Sequence, residues 1–201
     1  MKKFSRFILT ILFLAVGSLV SIAAEEQAKS DQDPMMAQWM KNAAPGDAHK
    51  VLDAFIGKWN HTVRWWMAPD APPQESKGSN VNSWIMGGRY LQQVVNGQAM
   101  NQPFEGMGII GYDNLRTEYV SIWIDNMGTG IMISTAQYEP ETMTFMEKGS
   151  LADPMTGEKN RNFRGAWSIV DQNHFTYELF LTGPDGKEFK SMEIAYTREA
   201  A

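Results

Sequence analysis

From Lys58 onward the sequence holds a hydrophobic period of two, interrupted at short intervals by turn-forming residues. The alternation predicts strands over 58–67, 78–86, 89–96, 104–112, 117–125, 130–138, 142–150, 162–170, 174–181 and 188–197. The breaks are chemically specific. Gly87-Gly88, Asp113-Asn114, Asn126-Met127-Gly128, Glu139-Pro140-Glu141, Asp153-Pro154-Met155-Thr156-Gly157 and Pro184-Asp185-Gly186 supply positive φ or side chains that bond their own backbone. No helical pattern separates the strands, so parallel crossovers, which need a dozen or more residues, are excluded. A meander this long has to hide its edges. Short sequential hairpins favour a mainly β fold, an antiparallel up-and-down β-barrel of about 8–10 strands, with a β-sandwich as the alternative. A barrel of that size can hold one small ligand.

The centre of the pattern is Gly108 to Gly130. Within it Tyr119, Ser121, Trp123 and Asp125 share one face and Val120, Ile122 and Ile124 the other. The first face is aromatic and hydroxyl-bearing, which suits a cavity wall. Gly106-Met107-Gly108-Ile109-Ile110-Gly111 imitates a dinucleotide-binding string. It leads into a turn and a strand instead of a helix, and a phosphate cradle depends on the helix N-terminus. In a strand these glycines permit coiling or close backbone approach.

Upstream of the strands the periodicity is different. Lys2, Lys3 and Arg6 precede an apolar run from Phe7 to Val20, and Ser21-Ile22-Ala23 provides small residues at cleavage positions. This is a secretory signal peptide over residues 1–24; the apolar run is shorter than the roughly 20 residues of a membrane span. Residues 25–45 read as a polar leader and a helix starting at Asp33-Pro34, carrying Met36, Trp39 and Met40. A second short helix follows Pro45-Gly46-Asp47, with Val51, Leu52, Phe55 and Ile56 as its apolar stripe and Gly57 as its stop. The single barrel domain is expected over 46–201. Loss of the signal removes three basic residues and takes the formal charge from −5 to about −8. With no Lys/Arg cluster, nucleic acid and anionic membrane surfaces are poor partners, and stable membrane insertion is not expected after cleavage. The chain has no cysteine, so an exported product, with the periplasm as the expected compartment, stands on its core without disulfides.

Two sets of residues resemble known sequences. Leu52-Asp53-Ala54-Phe55-Ile56-Gly57-Lys58-Trp59 resembles the helix-then-Gly-x-Trp entry of lipocalin-like barrels. Gly111-Tyr112-Asp113, Trp123-x-Asp125 and Gly128-Thr129 resemble an uncharacterised bacterial family, domain of unknown function fifteen seventy-nine, over about residues 47 to 198. The resemblance implies a calycin-type barrel and no settled activity. Some small barrels similar to this one hold haem through a single histidine, for which His174 or His61 would serve.

The residues themselves nominate no reaction. His49, His61 and His174 lack the spacing of a zinc site, and no metal is expected. Met35, Met36 and Met40 could offer thioethers to copper(I), but Met also fills irregular cores. Asp113, Asp125 and Glu147 fall at or near strands; turn chemistry accounts for the first two. Glu193 lies mid-strand and, if inward, requires a partner such as Arg164. No Gly-x-Ser-x-Gly or P-loop is present. The candidate ligand-binding set is therefore Trp65, Arg89, Tyr90, Tyr112, Tyr119, Ser121, Trp123, Arg164, Trp167, Tyr177 and Glu193. It fits non-catalytic binding of a small hydrophobic or amphipathic ligand. An enzyme acting on a small hydrophobic substrate, and an interaction protein with a filled barrel, are the alternatives.

Overall fold

The structure is a computed structural model and describes residues 34–200. The signal peptide and most of the polar leader expected from the sequence lie outside the described residues. A helix, α1, occupies residues 34–43 and leaves Met35, Met36, Trp39 and Met40 exposed.

The remaining chain begins with a short helix, α2 (Asp47–Lys50), and a 3₁₀ turn, Val51–Phe55. Ten strands follow: β1 (Gly57–Trp65), β2 (Gln74–Ile85), β3 (Tyr90–Ala99), β4 (Gln102–Asp113), β5 (Glu118–Asp125), β6 (Met132–Glu139), β7 (Thr144–Leu151), β8 (Arg161–Asp171), β9 (His174–Thr182) and β10 (Glu188–Arg198). Each pairs antiparallel with its sequence neighbour, and β10 returns to pair with β1 from Trp59↔Arg198 to Trp65↔Met192. The ring is therefore closed, and the sandwich alternative falls. The Gly87-Gly88 hairpin forms as expected, with φ of 67° and 81°.

Closure fixes which parity faces in. Trp59 and His61 on β1 point inward, and registration carries that choice to Asn80 and Asn82 on β2 and to Leu91, Gln93 and Val95 on β3. The same row continues through Gly106 and Gly108 on β4 to Trp123 and Ser121 on β5. It then runs through Ser134, Glu147, Gly165 and Leu179 to Met192.

One end of the barrel is plugged by the 3₁₀ turn. Leu52 and Phe55 drive into it and meet Trp59, Phe145 and Phe175, with ring centroids 4.9 Å apart for Phe55–Phe175 and 4.6 Å for Trp59–Phe175. The turn's last carbonyls are then satisfied from the barrel. Trp59 Nε1–H (2.8 Å) and Asn82 Nδ2–H (2.9 Å) both donate to Phe55 O. Arg198 donates to Ile56 O (2.6 Å) and Ala54 O (3.2 Å) while its guanidinium lies 4.0 Å over the Trp59 ring. Gly57 has φ +127°, and a Cβ there would meet Arg198 Nη1 at 2.5 Å, so glycine alone fits between the turn and β1.

Candidate functional site

The interior has a polar middle layer set between that plug and the opposite mouth. Its centre is Glu147 on β7, whose side chain points into the barrel and whose residue exposure is 5%. Four neutral donors converge on it from four other strands. Ser134 on β6 donates to Oε1, Ser121 on β5 lies 3.3 Å from the same oxygen, and the two serine oxygens are 2.5 Å apart. Trp167 Nε1–H on β8 donates to Oε2 at 3.3 Å, and the Tyr177 hydroxyl on β9 also bonds this carboxyl. Gly165 makes the space, since a Cβ there would sit 2.4 Å from Glu147 Oε2. Among the described residues Glu147 has no ion-pair partner.

The phenols around it are held protonated. Burial, reinforced by the Glu147 charge, pushes the Tyr177 hydroxyl far up, and burial alone does the same to Tyr196. Tyr119, which donates to Ala48 O at 2.7 Å, is pushed up to about 12 by burial and by neighbouring Tyr112 and Tyr138. These hydroxyls act as donors at neutral pH and are unsuited to serve as anions or bases.

Beside Glu147 lies a cavity of about 30 Å³, lined by Glu147, Ser121, Gln93 and Asn82 and by apolar groups including Leu91, Ile110, Phe145 and Trp167. Asn82 is fully engaged: it accepts from Asn80 (2.8 Å) and donates to Phe55 O. Asn80 Oδ1 in turn is 3.3 Å from His61 Nδ1, which that network assigns as the protonated nitrogen. Gln93 is 4% exposed and lines the cavity with its amide over Gly108.

Towards the mouth, Trp123 lies flat on the strip that Gly106 and Gly108 leave bare; Cβ atoms there would fall 2.4 and 3.3 Å from its ring. Its indole N–H donates to Asp125 at 2.8 Å, and Phe104 stacks on it at 6.4 Å. The Trp-x-Asp spacing is thus a same-face bond within one strand. Gly111, on the outer surface, accommodates the Tyr90 ring.

Of the residues nominated from sequence, the structure brings Tyr119, Ser121, Trp167 and Tyr177 to the polar layer and cavity, with Tyr112 packed on Tyr119 at 4.9 Å. Trp65 and Trp123 face inward nearer the mouth, half-buried. The other four stand outside. Arg89 sits in the exposed hairpin and bonds Met86 O, and Tyr90 is 42% exposed on the outer face. The inward pairing that Glu193 and Arg164 would have made had Glu193 pointed inward does not form: Met192 and Ile194 take the inward parity of β10, and Gly165 takes that of β8. Arg164 instead forks onto Glu188 (2.7 and 3.1 Å), and Glu193 pairs with Lys190 and Arg64. His174 points outward and pairs with Asp171 at 2.9 Å; His61 faces inward but packs on Tyr196, with Nε2 against Gly78. Asp113 caps its turn through the backbone N–H groups of Leu115 and Arg116, as turn chemistry implies. Gln93, Ser134 and the central role of Glu147 were missed. The available signal was the Phe145/Glu147/Gly149 parity, a carboxylate on an otherwise apolar face.

These features define a class: a closed ten-strand antiparallel barrel with a buried carboxyl at the bottom of a mainly apolar interior. The chain belongs to the family described as protein of unknown function (DUF1579), whose model matches residues 44–198. Comparison with curated protein sequences gives no match. Among solved structures it is similar to Rv2717c from M. tuberculosis, at 15% identity and a TM-score of 0.54, covering 78% of this chain and 100% of that one. It is also similar to the S-type phycobiliprotein lyase CPES from Guillardia theta, at 8% identity and a TM-score of 0.56, covering 77% of this chain and 93% of that one. Likeness at this identity shows a shared fold.

Proposed function

We propose that the protein is an exported carrier or sensor that binds one small hydrophobic or amphipathic ligand inside the barrel without chemical conversion. The observation that carries this reading is the cavity wall, where Glu147, Ser121, Gln93 and Asn82 converge among aromatic and aliphatic groups. A few convergent polar groups in an apolar cavity is the usual composition of a small-molecule site. That a phycobiliprotein lyase shares the fold is compatible with a ligand-holding interior.

The cavity of about 30 Å³ has room for one or two waters, whereas drug-sized ligands occupy roughly 300–1,000 Å³. Binding therefore involves displacement at the mouth. Trp123 is suited to it, because it rests on bare glycine backbone and is tied by one side-chain hydrogen bond, to Asp125. Met132 and Met192, also inward-facing and half-buried, can repack around a new occupant. Native mass spectrometry of the protein purified from its own host, followed by denaturation, tests the reading. A stoichiometric released molecule is expected; an empty protein with no thermal shift across lipid and aromatic libraries would overturn it.

The small cavity favours a second reading, a filled structural barrel that meets another copy of itself through its outer face. There Ile109, Ile122 and Ile133 lie in cross-strand register, and Ile122 and Ile133 are exposed. Sedimentation showing a dimer that an Ile133→Lys change separates, in a protein that carries nothing, would favour this alternative.

A further inference from the structure

Building on the ligand-binding reading, we infer that the interior selects a protonated amine, whose ammonium head sits between the Glu147 carboxylate and the Gln93 amide. Three observations on the page converge on this head group. The first is the charge inventory. Glu147 is the acidic group on the cavity wall, and no Lys or Arg lines that cavity. The nearby basic side chains are engaged elsewhere, Arg164 with Glu188, Lys190 with Glu178 and Glu193, and Arg198 with the plug carbonyls. A carboxylate or phosphate ligand would bring a second uncompensated anion into a low-dielectric space, which is costly, while a cation there supplies the missing counter-charge.

The second is the donor set. Trp167 Nε1 can only donate, the Tyr177 hydroxyl is held protonated, and Ser134 donates as well, so the carboxyl is met by neutral donors and by no basic side chain. The third is what encloses the remaining space. Phe145, Trp167 and Tyr119 present rings to the cavity, a setting that attracts an ammonium group, and the Gln93 amide lines the same space. The cavity of about 30 Å³ accommodates the head alone, so the apolar tail runs towards the mouth past Trp123. The ligand class is a small aryl- or alkylamine.

Calorimetric titration of the mature protein with 2-phenylethylamine, 2-phenylethanol and 3-phenylpropionate separates head-group chemistry from tail size. The amine is expected to bind at least about tenfold tighter than the alcohol and tighter still than the acid. Glu147→Gln should bring the amine to within about twofold of the alcohol. The ranking on the unmodified protein decides the matter even where that variant fails to fold. Equal binding of the three, or preference for the acid, overturns the amine assignment and leaves the carrier reading standing. Silence from all three beside a co-purified molecule of another class does the same. Silence together with an empty native protein removes both.

Discussion

The plugged end and the middle layer of the same barrel are built on opposite rules. At the plug every polar group has a fixed partner: Phe55 O accepts from Trp59 and Asn82, Arg198 covers Ile56 O and Ala54 O, and Trp84 Nε1 holds Asp53 at 2.8 Å. The rings between them interlock, and Phe175 stacks on Tyr196 at 4.0 Å. One layer further in, a carboxyl held by neutral donors without an ion-pair partner, and the Gln93 amide, line a cavity. The difference teaches where each property resides. The plug is over-determined and supplies stability; the layer beneath it holds a carboxyl without a counter-charge beside a cavity, and such an arrangement marks a site under another requirement.

The comparison breaks first at Trp59. Removing its ring deletes the contacts to Phe175 and Arg198 and one of the two donors to Phe55 O, at a position 1% exposed. Trp59→Ala should cost about 3–5 kcal/mol in urea unfolding, and a loss below about 1 kcal/mol would show that the plug does not hold the barrel. Gly165→Ala comes next. Its Cβ would press on Glu147 Oε2 at 2.4 Å and on the Tyr177 ring at 3.0 Å. About 1–3 kcal/mol of destabilisation is expected, together with displacement of the carboxyl and loss of any bound ligand. An alanine variant as stable and as loaded as the original would mean the polar layer is loosely placed.

The two regions were unequally legible in the sequence. The ten strands and their turns follow from local chemistry: Gly87-Gly88, Asp113 and Pro184-Asp185-Gly186 each act on their own few residues. The plug is also local, since the Leu52/Phe55 stripe and Gly57-Lys58-Trp59 are contiguous. Glu147 is different, because the groups that give it meaning lie on β5, β6, β8 and β9. In isolation Met146-Glu147-Lys148 reads as an exposed strand edge. Inward parity was likewise undecidable from one strand. Once Trp59 is buried by the plug, however, registration dictates every other strand, and Arg164 and Glu193 are sent outward.

Two amides on neighbouring strands sharpen the contrast. Asn82→Leu orphans its donor Asn80 and strips one bond from Phe55 O, and about 1–3 kcal/mol should be lost. Gln93→Leu removes a cavity-lining amide that holds no plug carbonyl, so the ligand-free protein should lose less than about 1 kcal/mol, with weaker ligand retention. Paired thermal melts of the two variants check this. Equal losses would mean that Gln93 is bonded as fully as Asn82.

The smallest expected effect is the acid response of His61, which joins the two regions through Asn80. Burial holds its protonated form below the usual range, against a smaller opposing pull from the Asn80 hydrogen bond. His49 shifts the same way, through burial and then the Arg89 charge. With the folded value below the unfolded one, the unfolded chain binds more protons between the two, so stability rises with pH across that window. It is complete above about pH 6.5 and declines as the pH falls towards the depressed folded values. The carboxylates held low by their partners, Asp153, against the opposing effect of burial, through the Met155 backbone N–H and then Arg161, and Glu188 through Arg164, act at lower pH, below the ordinary carboxylate range. Urea midpoints taken from pH 7 to pH 5 should therefore fall, and His61→Gln should flatten part of the slope while His49 keeps the remainder. A slope unaffected by His61→Gln would place the pH sensitivity at His49 and the α2 entry, away from the polar layer.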